Sequence, residues 1–105
     1  MSFRKAITEC KKKKMNLAIE DSETYLGRLK LADNSFYWLG LIKNSKNNWQ
    51  WTDRTFINKK MNSKEGYNCG AFDTSKNSIV AMPCSIKLSF LCQGKSKYIE
   101  KPVRK

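Results

Sequence analysis

The sequence predicts an α+β domain in which two helices precede a run of short antiparallel strands broken by one long loop. Helical spacing of apolar residues is confined to the first third of the chain. After residue 35 apolar residues come instead in runs of strand length, separated by turn-forming clusters. Elements grouped in this way indicate α+β rather than a parallel α/β sheet. With 105 residues there is room for one modest core and one domain.

In "SFRKAITEC", Phe3, Ala6, Ile7 and Cys10 recur at helical spacing and form one face of a first helix, with Cys10 pointing into the core. In "MNLAIED", Met15, Leu17 and Ile19 alternate with Asn16, Ala18 and Glu20, as a short strand would. "DSETYLGRLKLA" (21–32) reads as a second helix, capped by Asp21 or Ser22, with an apolar stripe of Tyr25, Leu26 and Leu29. "SFYWLGL" (35–41) is a buried strand in which Gly40 marks a bulge or a close backbone approach. The turn cluster "NSKNN" leads to "WQWTD" (49–53), whose two tryptophans share a face. No period holds from Arg54 to Gly66, which reads as a long loop. "YNCGAF" (67–72), "SIVAM" (78–82) and "IKLSFLC" (86–92) read as three strands, the first two joined by the turn "DTSKN". In the third, Ile86, Leu88, Phe90 and Cys92 form the buried face. Residues 1–94 form the domain, and 95–105 are read as a polar, basic tail that frays.

Composition narrows the function. Lys and Arg number 21 against 9 Asp and Glu, a formal charge of +12 that attracts anions. There is no histidine, so the usual general base and the commonest metal ligand are missing. No nucleophile and base pair, Gly-rich phosphate loop or paired carboxylates stand out, and no enzyme is expected. The start lacks the apolar core of a signal peptide, and no stretch approaches the roughly 18 apolar residues of a membrane span. "KKKK" (Lys11, Lys12, Lys13, Lys14) has two readings: a solvated loop at the negative end of the first helix, or a patch for heparin-like glycans or nucleic acid. Aromatic residues are not interleaved with basic ones, which gives little support to single-strand binding.

The four cysteines, at 10, 69, 84 and 92, have no C-x-x-C spacing, and zinc is not expected. Two disulfides, in any of three connectivities, compete with four reduced thiols. Cys69 and Cys84 belong to neighbouring members of the strand run, which favours joining them and leaves Cys10 for Cys92.

These residues resemble the C-type lectin-like domain. "YWLGL" (37–41) is similar to that family's "WIGL" strand, and "WQW" with Asp53 to its "WxWxDG" segment, with Arg54 where glycine is usual. "LAIEDSET" (17–24) resembles "LAxIxSxEE", and Cys69, Cys84 and "FLC" (90–92) resemble the closing cysteines. The resemblance implies a C-type lectin-like fold, with Cys10 joined to Cys92 and Cys69 to Cys84. It also implies truncation at the N-terminus, because family members begin with a hairpin before the first helix. Without that hairpin the "IKLSFLC" strand is expected to have an unpaired edge.

Sugar-binding members hold calcium between a Glu-Pro-Asn or Gln-Pro-Asp tripeptide in the long loop and a Trp-Asn-Asp tripeptide before the next cysteine. Here residues 52–68 contain no proline and only Asp53 and Glu65 as carboxylates, while "SIVAMP" precedes Cys84. Too few oxygen ligands remain for calcium. No cofactor is expected, and the resemblance points to the natural-killer-receptor-like branch, whose members mostly bind proteins through the long-loop face. The implied contact residues are Lys59, Lys60, Asn62, Lys64, Glu65 and Tyr67. The implied setting is the extracellular face of a type II membrane protein, with a cell-surface protein as partner, an anionic glycan or a homodimer as further possibilities, and no nucleic acid. The competing class is a truncated or degenerate product whose basic surface binds polyanions. Two disulfides in the natively purified protein would favour the first class, four free thiols the second.

Overall fold

The computed structural model describes residues 1–61, 64–94 and 99–100. Helix α1 (Phe3–Lys12) is capped by Ser2, whose hydroxyl accepts the Lys5 N–H, and it buries Phe3, Ala6 and Cys10. It runs two residues past the predicted end at Cys10, so Lys11 and Lys12 lie in its last turn, where cations offset the negative helix terminus. Lys14, in left-handed backbone with φ 59°, turns the chain into β1 (Asn16–Leu17).

Helix α2 (Glu23–Arg28) is half the predicted length. Ser22 caps it by accepting the Tyr25 N–H at 3.0 Å, and Leu29 leaves it in extended conformation. Only the Leu26 part of the expected stripe is fully buried; Leu29 packs at the core margin and Tyr25 is 41% exposed. The helix ends at Arg28, so Leu29, already extended, leaves the face that the three positions would have shared in a longer helix.

The larger sheet is built on β2 (Phe36–Lys43), flanked by β3 (Trp49–Trp51) and β4 (Cys69–Asp73), with β5 (Ser78–Met82) outside β4. The β2–β3 turn is closed by Asn44, whose side-chain oxygen accepts the N–H groups of Lys46 and Asn48. Asp73 does the same for Ser75 in the β4–β5 turn. At Gly40 the register of β2 against β4 shifts, and the glycine N–H donates to the Ala18 carbonyl at 2.8 Å. A Cβ there would meet the Leu17 carbonyl oxygen at 3.0 Å and the Thr52 hydroxyl at 2.9 Å, so the close approach requires glycine.

Strand β2 is buried on both faces. Tyr37, Leu39 and Leu41 join Leu26, Trp51, Phe72 and Ile79 in one core, whereas Trp38 lies in a second with Phe3, Ala6 and both disulfides. Trp38 is fully buried, meets the Phe3 ring edge-on with centroids 5.5 Å apart, and donates its Nε1–H to the Met1 carbonyl at 2.8 Å. The disulfides Cys10–Cys92 and Cys69–Cys84 have Cα separations of 5.5 and 5.2 Å.

The expected strand 86–92 is divided. Its residues Ser89–Phe90 form β6, parallel to β2, while β7 (Cys92–Gln93) pairs with β1 in a second sheet. Between them Leu91 crosses from sheet to sheet, donating to the Trp38 carbonyl and accepting from the Ala18 N–H. Adjacent Leu91 and Cys92 therefore enter different cores, which defeats the alternation expected for one strand. The expected unpaired edge is also corrected. Strand β8 (Ile99–Glu100), from the segment read as a fraying tail, pairs with β7 on the side away from β1. Ile99 is buried in the first core, and this apolar burial holds a segment that looks polar in the sequence.

Candidate functional site

The segment between β3 and β4 starts with a tight turn. Asp53 accepts the Thr55 N–H and hydroxyl, and the Arg54 N–H returns to the Trp51 carbonyl at 2.8 Å. Arg54 adopts φ +76°, left-handed backbone that costs a non-glycine residue about 1 kcal/mol or more. Arginine thus occupies a glycine-type conformation at the position where the resembled motif has glycine. Phe56 bridges to Gln50 and is 57% exposed, whereas Ile57 and Met61 pack against the first core.

Lys59 ties this loop to the body. Its Nζ donates to Glu23 Oε2 at 2.7 Å, to Ser78 Oγ at 2.7 Å and to the Ile79 carbonyl at 2.8 Å. Glu23 Oε2 also accepts the Ile79 N–H at 2.7 Å. A carboxylate from α2 and an ammonium from the loop thereby satisfy both backbone groups of Ile79 on the open edge of β5. Partial burial raises the Glu23 pKa, but the hydrogen bonds from Lys59 and Ile79, the Lys59 charge and the Ser78 bond together hold it below the ordinary 4.5.

That lowering sets a pH dependence. A carboxyl whose folded pKa lies below its unfolded one adds stability above the unfolded value, and this contribution is lost as pH falls through the folded value. Both partners are about one third exposed, so the contribution is modest. The stability difference between wild type and Glu23→Gln should hold at neutral pH and shrink below pH 4.5 in denaturation series, as protonation removes the advantage. A difference independent of pH between 7 and 3 would contradict the assigned role.

Beside this clasp lies a cleft of about 230 Å³ between the loop and β5, and Lys59, Lys60, Lys64 and Tyr67 contribute to its lining together with Val80 and Ala81. Four of the expected contact residues therefore meet at one place. Lys64 Nζ stands 5.6 Å from the Tyr67 ring centroid, within cation–π range. Glu65 is exposed nearby in sequence without lining the cleft, and Asn62 lies outside the described residues. Lys11, Lys12, Lys13 and Lys14 are exposed at the end of α1, which packs on the second core, and Lys12 pairs with Glu9 at 2.9 Å. Among the described residues no three His, Cys, Asp or Glu side chains gather into a metal-holding group.

Glu23, Ser78 and Ile79 were missed as site residues. Glu23 carried only the ordinary signal of an acidic residue in a helix's first turn. No local pattern announces that it meets a lysine 36 positions away.

Two helices against two mainly antiparallel sheets, two disulfides and a long loop beside the outer edge of β5 match the fold of the C-type lectin domains, a family of non-enzymatic recognition modules. The lectin C-type domain model matches residues 1–94, and the chain belongs to that family. It is 33% identical over 95 residues to C-type lectin domain family 2 member F of Mus musculus, a match covering 90% of this chain and 47% of the relative. The chain thus spans about half the length of that curated relative. Among solved structures, the human scavenger receptor C-type lectin carbohydrate-recognition domain matches with a TM-score of 0.75 at 16% identity, covering 97% of this chain and 84% of that one. The C-type lectin domain of murine dendritic cell inhibitory receptor 2, in complex with N-glycan, matches with a TM-score of 0.75 at 17% identity, covering 96% and 83%. At such identities these two likenesses establish the fold alone.

Proposed function

We propose that the domain binds a protein ligand without calcium, through the face formed by the long loop and β5, as part of an extracellular receptor of the natural-killer-receptor-like type. The Lys59 clasp is the observation that carries this reading. The oxygens gathered there, from Glu23, Ser78 and Ile79, serve an ammonium that belongs to the chain itself. Calcium needs six to eight oxygens, commonly with several carboxylates, whereas this end of β5 continues as Val80, Ala81 and Met82. The residues present do not fit the ion. Two disulfides support an oxidising, extracellular setting.

A second reading, polyanion binding, is favoured by the exposure of all four lysines at the end of α1 and by the charge of +12. Calorimetry with calcium is expected to give no binding heat, and capture of cell-surface ectodomains is expected to be equal in calcium and in EDTA. Micromolar calcium affinity, or glycan capture that EDTA abolishes, would overturn the calcium-free reading. Elution from heparin above physiological salt, lost on neutralising Lys11 to Lys14, would favour the second.

A further inference from the structure

The geometry points to an extended acidic peptide segment of the protein ligand as the occupant of the cleft, added along the open edge of β5 with its backbone paired to Ala81 and its carboxylates set against Lys60 and Lys64. This rests on the loop-face reading above and specifies the chemistry of its ligand.

Strand β5 has β4 on one side and, among the described residues, no strand on the other. The Ile79 N–H donates to Glu23 and its carbonyl accepts from Lys59, so both groups point away from β4. In an antiparallel ladder backbone groups alternate in direction with a period of two. Ala81, opposite Gly70 in the β4 register, therefore turns its N–H and carbonyl to the same outer side as Ile79. At Ile79 a carboxylate and an ammonium stand in for a neighbouring strand; at Ala81 the cleft lies alongside. Pro83, the next residue of the same parity, has no N–H to offer, which limits the available edge to a short stretch.

A donor and acceptor side by side on a strand edge match the backbone of an extended peptide, the mode of recognition by strand addition. Charge selects the side chains. Lys60 and Lys64 line the cleft, and Lys59 has its charge opposed by Glu23. Successive side chains of an extended segment project to opposite faces, so glutamates at alternate positions would lie on one face, towards the loop lysines. Tyr67, half-buried in the same lining as the lysines, offers an apolar surface to the methylene stems of those glutamates.

The test is a nitrogen–proton NMR titration of the whole chain with a blocked Glu-Val-Glu-Val-Glu peptide at millimolar concentration. A heparin-derived hexasaccharide and a lysine-for-glutamate peptide serve as comparison probes. The acidic peptide is expected to move the Ala81 amide resonance downfield and slow its hydrogen exchange at least tenfold. Lys60→Glu with Lys64→Glu should weaken the effect at least tenfold, and so should methylation of the central peptide nitrogens, which leaves the protein untouched. No binding, shifts confined to Lys60 and Lys64, or an identical pattern with the hexasaccharide would overturn strand addition. If calcium-independent ectodomain capture persists while the peptide fails, only this inference falls; if capture requires calcium, the reading beneath it falls.

Discussion

Replacing Cys10 and Cys92 together by alanine is expected to leave the domain largely unfolded at 37 °C. The bridge spans a sequence separation of 82 residues, for which the chain-entropy model gives about 4 to 5 kcal/mol. That approaches the whole stability of a small domain, about 5 kcal/mol at the lower end. Both sulfurs lie in the fully buried second core, where the bridge joins α1 to β7. The same change at Cys69 and Cys84, separated by 15 residues, should cost about 3 kcal/mol and leave a cooperative transition. Denaturant unfolding of the two double variants checks the order, and a less stable Cys69/Cys84 variant would show that loop closure is not what these bridges chiefly supply.

Trp38→Ala should destabilise the domain by about 3 to 5 kcal/mol, the usual cost of emptying a fully buried aromatic site. It removes the ring that α1 packs on through Phe3 and the donor that holds the Met1 carbonyl. Trp38→Phe retains an aromatic ring near Phe3 but loses the hydrogen bond, worth about 0.5 to 1.5 kcal/mol, together with part of the packing. It should fall between wild type and the alanine variant. A loss under about 1 kcal/mol for Trp38→Ala in urea unfolding would mean that the second core closes over the space.

The elements most legible in the sequence were those governed by one local rule. Phe3, Ala6 and Cys10 repeat at the helical period and bury one face of α1, and "SIVAM" is β5 end to end. Gly40 announced a close backbone approach, and the Leu17 and Ala18 carbonyls supply it. What failed depended on partners remote in sequence. Residues 86–90 alternate, and Leu91, apolar at a polar-phase position, breaks the pattern where the chain passes between two sheets; that break marks the place but not the partners, which lie at Trp38 and Ala18. Ile99 sits among polar residues and is buried only because β7 has a side for it. The cleft itself was partly legible: four of the residues proposed for binding line it, while the Glu23 side of its clasp came from another element altogether.

The burial of β2 on both faces also bears on how such a chain can diverge. From Tyr37 to Leu41 there is no solvent side on which a replacement could be accommodated without disturbing one core or the other. The loop, by contrast, is held among the described residues by the Gln50–Phe56 bridge, by Ile57 and Met61 against the first core and by the Lys59 ammonium, and Lys64, Glu65 and Gly66 beyond these tethers are exposed. Replacements can accumulate there with little cost to folding, so the face proposed for binding is free to drift while the scaffold stays constrained. A library randomised at Lys60, Lys64, Glu65 and Tyr67 should therefore yield mostly folded proteins with altered partners.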